Sequence, residues 1–447
     1  MSMFREYDIR GIVDQDLNEE MITKIGKALG TEIQGTILVA RDNRTHGLRV
    51  KNIFIKALLS TGCNVVELGI LTSPMLYFSS KLYENNASVM ITASHNPKEY
   101  NGFKIIKAGK PFYGNQIFSL EKLAESGYFI NGQGTLTEKN PIEDYYQFFK
   151  NKGKFNKKLK VVVDCGNGTS SLFNPKILKD LGCEVIPLFC ESDGNFPNHE
   201  PDPVVEKNLQ DLIAKVKETN ADIGIGFDGD GDRLGIVDEE GNIIAGDKTL
   251  IILSRELLSR SQNEKIIYEV KCSMTLEEDI KNNQGIPIMF KTGHSLIKAK
   301  MKEENAALAG EMSGHFFFRE LGFFDDAMYA AYKVLNILDK SGKKVSELLE
   351  GVPKTYATPE IREECPDNLK KTVIEQLQQR FKKYNPLTID GVRINFEDGW
   401  GLVRSSNTQP VLVLRFEAKD KKRLEYIKEL IETEVKDVKG STLAEKG

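Results

Sequence analysis

Apolar residues along this chain fall into short runs, and the stretches between them carry apolar positions at helical spacing. Leu17–Ile33 predicts a helix, Thr36–Ala40 a strand, Arg49–Ser60 a helix and Asn64–Leu68 a strand; Pro74–Tyr83 then predicts a helix and Ala87–Ile91 a strand. Short apolar runs alternating with helices indicate a parallel sheet covered on both faces. The charged stretch Lys150–Lys160 reads as a linker, and the pattern restarts after it. Val161–Asp164, Glu184–Leu188 and Asp222–Phe227 predict strands, with helices over Asn167–Leu181 and Asn208–Lys217. A third round follows Gly246, with strands at Lys265–Val270, Pro287–Lys291 and Ala307–Ala309. Its helices are Leu250–Ser259, Leu276–Asn282, Leu296–Glu303 and Ala327–Asp339.

The tail breaks the alternation. Pro359–Glu363 predicts a strand and Leu369–Lys383 a helix. Strands at Val392–Phe396, Gly401–Arg404 and Val411–Glu417 then precede a last helix, Lys421–Val435, and a frayed end. Strands grouped between helices suggest an antiparallel α+β domain. Four domains result: three α/β domains at residues 1–150, 151–248 and 249–355, and an α+β domain at 356–447.

Composition narrows the class. With 447 residues the chain exceeds a single core, and 40% hydrophobic with 28% charged residues describes an ordinary water-soluble protein. No run approaches the ~18 apolar residues of a membrane span. The first residues lack the layout of a secretory signal. A net charge of −4 makes no electrostatic case for nucleic acid. The six cysteines contain no Cys-x-x-Cys pair, which argues against a zinc site or a disulfide framework and for a reducing, cytoplasmic setting.

Candidate chemistry lies in the loops. Ile91–Ile105 leaves an apolar run and places Ser94 and His95 where a strand end meets a loop, the usual place for chemistry in open α/β sheets. Asp228-Gly229-Asp230-Gly231-Asp232-Arg233 sets three carboxylates at every second position, which share one side if the segment is extended. Three like charges so close repel unless a cation neutralises them, and hard oxygen donors select magnesium, manganese or calcium. An EF-hand loop also matches at Asp228, Asp230, Asp232 and Glu239, but its glycine position holds Arg233 and its flanks read as strands. Glu311, Ser313 and His315 repeat the two-residue spacing and suit the hydroxyls of a sugar. Arg404 to Thr408 combines a guanidinium with hydroxyl and amide groups suited to a phosphate. Lys291-Thr292-Gly293-His294-Ser295 and Arg41-Asp42-Asn43-Arg44 each fall at a strand end where an anion could be met, and Arg10 and Lys104 add cations.

Together these residues resemble the α-D-phosphohexomutases, and within them the phosphomannomutase/phosphoglucomutase group. The motifs are TASHNP (Thr92–Pro97), DGDGDR (Asp228–Arg233), GEMSGH (Gly310–His315) and RSSNT (Arg404–Thr408), together with YDIRG at Tyr7–Gly11 and KTGHSLIK at Lys291–Lys298. The resemblance covers essentially the whole chain in order. It implies three related α/β domains with mixed sheets and a C-terminal α+β domain of TATA-binding-protein-like topology, four domains around one cleft. It implies that Ser94 is the phosphoserine, and that Asp228, Asp230 and Asp232 hold Mg²⁺ with the Ser94 phosphate as a further ligand. Arg10, Lys104 and Arg233 would surround the reacting phosphate, with Lys104 or His294 as general acid/base. Glu311, Ser313 and His315 would meet the sugar, and Arg404, Ser406, Asn407 and Thr408 the non-reacting phosphate, with Tyr7, Lys291 and Gly293 also at the substrate.

The implied activity is interconversion of hexose 1- and 6-phosphates, of mannose or glucose, through a hexose 1,6-bisphosphate, by a monomer or homodimer. Met312 favours this group over the phosphoglucosamine mutases, which usually carry glutamine there. A non-catalytic phosphosugar- or calcium-binding protein is the alternative from another class.

Overall fold

A computed structural model describes residues 3–406 and 409–446. The chain forms two compact units, one of residues 3–256 and 294–350, the other of 257–293 and 351–446 without 407–408.

The first unit opens with strands β1 (Ile9–Ile12), β2 (Thr36–Arg41), β3 (Asn64–Ile70), β4 (Ala87–Ile91), β5 (Tyr100–Lys107), β6 (Lys110–Pro111) and β7 (Leu136–Glu138). They make one sheet in the order β1-β5-β4-β2-β3-β7, with β6 on β5. β2, β3, β4 and β7 run parallel, as the apolar runs indicate; β5 runs antiparallel to both β4 and β1, so the sheet is mixed. The reversal arises within Ile91–Ile105: its polar loop turns the chain back, and Met90 faces Lys104 across the β4–β5 pair. Helix Glu19–Ile33, capped by the Asn18 side chain, and helix Gly47–Leu59 bury Ile22, Ile25, Leu29, Val50, Phe54 and Leu58 on this sheet. At ~25 cal/mol per Å² of buried apolar surface, such a face supplies most of the stability of both helices.

β8 (Lys160–Asp164), β9 (Glu184–Leu188), β10 (Ile223–Phe227), β11 (Leu234–Asp238) and β12 (Ile243–Ile244) form a second mixed sheet in the order β12-β11-β10-β8-β9. The helix expected over Asn167–Leu181 is instead a 3-10 turn, Thr169–Leu172, followed by a short helix, Asn174–Asp180. Asn167 sits at φ 56° and the Thr169 N–H donates to the Gly229 carbonyl at 2.9 Å, so this end of the segment serves the loop after β10. β15 (Leu308–Gly310), β16 (Phe316–Phe318) and β17 (Phe324–Asp325) follow as an antiparallel meander.

In the second unit β13 (Lys265–Glu269) and β14 (Ile286–Phe290) pair in parallel. β18 (Tyr356–Ala357), β19 (Ile361–Glu364), β20 (Val392–Phe396), β21 (Gly399–Ser405) and β22 (Val411–Ala418) are wholly antiparallel. Helices Asp367–Arg380 and Lys421–Lys446 share a core with this sheet, built on Val373, Leu377, Leu414, Ile427 and Ile431. The last helix runs past Val435 to Lys446, so the end is helical where fraying was expected. Among the described residues no helix is long and apolar enough to cross a membrane.

Candidate active site

Ser94 stands at the turn between β4 and β5 with φ 52°, a left-handed conformation uncommon for a side chain larger than glycine's. Strain of this kind, ~1–3 kcal/mol, persists only where the surroundings over-determine it. Here they do. The buried Arg44 guanidinium donates to the carbonyls of Ser94 (2.9 Å), Asn96 (2.6 Å), Pro97 (2.7 Å) and Tyr100 (3.1 Å), and pairs with Asp42. The Ser94 N–H donates to Thr92 Oγ1 at 2.8 Å, and Thr92 in turn donates to Asp42. Arg44 is therefore a scaffold for the serine turn, and the anion contact expected of Arg41–Arg44 is replaced, for Arg44, by carbonyl contacts.

The acidic loop 228–233 joins the antiparallel pair β10–β11, with Phe227 opposite Leu234. The flanks are strands, which removes the EF-hand reading. The loop turns tightly, and Asp228, Asp230 and Asp232 still offer oxygen atoms within 4.8 Å of one another. Gly229 allows the approach to Ser94, since a Cβ there would stand 2.4 Å from the Ser94 carbonyl oxygen. The Ser94 hydroxyl donates to Asp228 Oδ2 at 2.7 Å. Ser73 donates to Asp230 at 2.5 Å, and the Lys104 ammonium bridges Asp230 and Asp232 at 2.6 Å each.

All three carboxylates are fully buried. Burial raises Asp228 well above the usual carboxylate range, and the neighbouring Asp232 and Asp230 add to it. Burial also pushes Asp230 and Asp232 upward, but the Lys104 charge acts together with hydrogen bonds from Lys104 and Ser73 at Asp230, and with the His315 and Arg233 charges at Asp232, so that both fall below the ordinary value. Burial opposes the charge on Lys104, and Asp230 and Asp232 overcome it, holding the ammonium well above its usual pKa. The donor set fits a hard divalent cation. It is all oxygen, and Oδ1 of Asp230 and of Asp232 has no hydrogen-bond partner.

Glu311–His315 is a tight turn between β15 and β16, closed by the Glu311 N–H on the His315 carbonyl (3.0 Å), so the shared face inferred from an extended strand does not form. The turn docks on the chain just after the acidic loop: the Leu234 N–H donates to the Gly314 carbonyl, and at φ 85° a Cβ on Gly314 would meet the Leu234 oxygen at 2.7 Å. That contact places His315 beside the carboxylates. Its Nδ1 lies 2.8 Å from Asp325 and 3.6 Å from Asp232, and Arg233 Nε donates to its Nε2 at 3.1 Å. Lys298 pairs with the far side of Asp325 at 2.6 Å. The His294 ring stacks on His315 with centroids 5.5 Å apart and meets Tyr7 edge-on at 6.1 Å. Neither ring nitrogen of His294 has a hydrogen-bond partner. Burial, then the charges of Lys298 and His315, hold it well below 6.5 and therefore neutral. Arg10 donates to the Asn96 side chain at 2.6 Å and pairs with Asp8.

The first unit thus brings together Tyr7, Arg10, Ser94, Lys104, Asp228, Asp230, Asp232, Arg233, His294 and His315, with Glu311 and Ser313 on the turn that docks beside the acidic loop. In the second unit Asp390 links two motifs: its Oδ2 accepts from the Thr292 N–H (3.0 Å) and from Arg404 Nε (2.8 Å), so Lys291 and Gly293 lie on a segment tied to Arg404. The Ser406 N–H donates to the Val411 carbonyl at 3.0 Å. Asn407 and Thr408 lie outside the described residues. Sequence reasoning missed Asp325 and Asp390. The Asp325-Asp326 pair after an apolar run was a signal for the first; a lone aspartate before a glycine is no signal for the second.

Comparison with known proteins agrees with this geometry. The four phosphoglucomutase/phosphomannomutase domain models match in order, the alpha/beta/alpha domains I, II and III over residues 1–130, 143–241 and 245–356 and the C-terminal domain over 360–434. This chain belongs to that family. It is 45% identical over 444 residues to a phosphomannomutase/phosphoglucomutase of Pseudomonas syringae pv. tomato, covering 98% of this chain and 96% of the relative. A phosphoglucomutase of Neisseria gonorrhoeae is 42% identical, with 95% of each chain covered. A crystal structure of a phosphoglucomutase/phosphomannomutase family protein from Burkholderia thailandensis superposes with a TM-score of 0.92 at 39% identity, covering 98% of this chain and 97% of that one.

Proposed function

We propose that this chain is a phosphohexomutase that interconverts the 1- and 6-phosphates of mannose and glucose, with Ser94 carrying the transferred phosphoryl group. The observation that carries the reading is the strained Ser94, its hydroxyl 2.7 Å from the first of three buried carboxylates.

Asp228, Asp230 and Asp232 would hold Mg²⁺, which supplies Lewis-acid stabilisation of charge on a phosphoryl group. The chain's own part is positioning and charge. The serine turn holds Oγ against the acidic loop. Arg10, Lys104 and Arg233 set cations around it, suited to the oxygens of the group in transfer. A general base must take the proton of the attacking sugar hydroxyl. The sequence leaves Lys104 and His294 open for this role; the geometry supports a third group, His315. Asp325 stands 2.8 Å from its Nδ1, placed to orient the ring as a carboxylate orients a catalytic imidazole, and its Nε2, which now accepts from Arg233, would become available if Arg233 turned to an anionic substrate. His294, neutral and stacked on it, would meet the substrate without competing for that proton.

Glu311 and Ser313 would take the sugar hydroxyls, and Tyr7, Lys291, Gly293, Arg404, Ser406, Asn407 and Thr408 the rest of the substrate and its non-reacting phosphate. A glutamate on O3 and O4 tolerates a sugar that turns over between the two transfers, because those oxygens roughly exchange places. It also ignores C2, where mannose and glucose differ. The bisphosphate is both intermediate and activator. Division at residues 150, 248 and 355, a cytoplasmic location and a monomeric or homodimeric state belong to the same reading.

The test is to supply Mg²⁺, glucose 1,6-bisphosphate and each 1-phosphate in turn. Mannose and glucose 1-phosphates should both yield 6-phosphates, glucosamine 1-phosphate far more slowly, and Ser94→Ala should turn over none. Turnover by Ser94→Ala equal to the parent would overturn the assignment.

A further inference from the structure

Two of the six cysteines face each other at neighbouring strand ends. Cys165 follows β8 and Cys190 lies two residues beyond β9, strands that pair in parallel with Asp164 opposite Leu188. The sulfurs are 3.1 Å apart. A disulfide needs ~2.05 Å, so closing the bond asks the sulfurs to approach by about 1 Å. Cys165 is buried and Cys190 partly exposed, which gives a reagent in solution one thiol to reach and a second already beside it. The hydrogen bond shared with Cys165 also holds the Cys190 thiol below its usual pKa, while burial pushes Cys165 well above. Cys63, Cys183, Cys272 and Cys365 are all buried.

The segment after Cys165 reaches the serine. The Asn167 N–H donates to the Phe189 carbonyl at 2.8 Å, between the two cysteines; two residues later the Thr169 N–H donates to the Gly229 carbonyl in the acidic loop. Asn43, the neighbour of Arg44, donates from its backbone to Thr169 Oγ1 (3.1 Å) and from its side chain to the Asn167 carbonyl (2.7 Å). Asn167 and Phe189 both hold left-handed φ, 56° and 48°, so the segment has little slack to absorb a shift. One short loop therefore touches the thiol pair on one side, and the acidic loop and the scaffold of the serine turn on the other.

We propose that Cys165 and Cys190 are a modification site for small-molecule disulfides, and that their reversible disulfide slows turnover at Ser94 through the Cys165–Thr169 loop. The Cys190 thiolate attacks one sulfur of the reagent disulfide, forming a mixed disulfide and releasing one small thiol. Cys165 then attacks the Cys190 sulfur, its proton leaving with the second small thiol. Two protein thiols are oxidised, one reagent disulfide is reduced to two thiols, and no further reactant is needed.

The test treats the reduced full-length protein with oxidised glutathione, then alkylates and maps its peptides. A Cys165–Cys190 cross-link should form, with the other four cysteines still alkylated. Displacement of reacting groups by even 1 Å is costly, so kcat for glucose 1-phosphate should fall about tenfold and recover with dithiothreitol. Cys190→Ser should keep the basal rate and lose the response. Unmodified Cys165 and Cys190 after the treatment would overturn the site, and glutathione left on Cys190 without a cross-link would overturn the protein disulfide. A cross-link that leaves kcat unchanged would overturn its coupling to Ser94. The rate rests on the mutase reading, but the peptide map does not, so the failure of one is distinguishable from the failure of the other.

Discussion

The serine centre and the Arg404 loop handle charge in opposite ways. Around Ser94 the buried ionic groups answer one another: Arg44 with Asp42, Lys104 with Asp230 and Asp232, Lys298 with Asp325. The price of burying so many charges is a structure that fails if one is removed. Arg404, by contrast, pairs with a partly exposed carboxylate, Asp390, at the end of a strand. Under the proposed function, a centre that transfers a group would have to be fixed before the substrate arrives, whereas a loop that grips an anion would need donors that turn toward it. Substitutions in the first region should therefore cost folding or kcat, and in the second KM.

The largest effect should come from Arg44→Met, which keeps the bulk but strands Asp42 and four carbonyls. We expect a loss of ~3–5 kcal/mol in unfolding free energy by denaturant titration; a loss no greater than that of an exposed arginine would remove the distinction between the regions. Next, Asp230→Asn takes one charge from the acidic loop. It should lower kcat by ~10²–10³-fold at saturating substrate and raise the Mg²⁺ concentration giving half-maximal activity. Last, Arg404→Lys replaces a planar fork with a point charge. A charge-assisted hydrogen bond is worth ~1.5–3 kcal/mol, so KM should rise about tenfold or more with kcat within about twofold of the parent. A fall in kcat alone would assign Arg404 to the chemical step.

Much of this was legible in the sequence because it is local. Apolar runs over Thr36–Ala40 and Ala87–Ile91 can be buried only as strands between helices, and the acidic loop carries its chemistry in six consecutive residues. Two kinds of feature were not legible. β1 (IRGI) and β5 (YNGFKIIK) mix polar residues into their pattern, among them Arg10, which meets Asp8 and Asn96, and Lys104, which meets Asp230 and Asp232, and so they read as motif, not as strand. The roles of Arg44, Asp325 and Asp390 depend on carbonyls or side chains brought close by folding. Arg44 and its Ser94 partner are 50 positions apart, and no period or spacing encodes that contact. The turn at Glu311–His315 shows the same limit, since spacing by two implies a shared face only where the chain is extended.

Whether Ser94 carries the phosphoryl group is read from the intact mass of the purified protein with phosphopeptide mapping, before and after incubation with glucose 1,6-bisphosphate. A single phosphate should be found on Ser94, lost to added hexose phosphate and regained from the bisphosphate. An unmodified Ser94 after bisphosphate treatment, in a protein that still converts 1-phosphate to 6-phosphate, would contradict it.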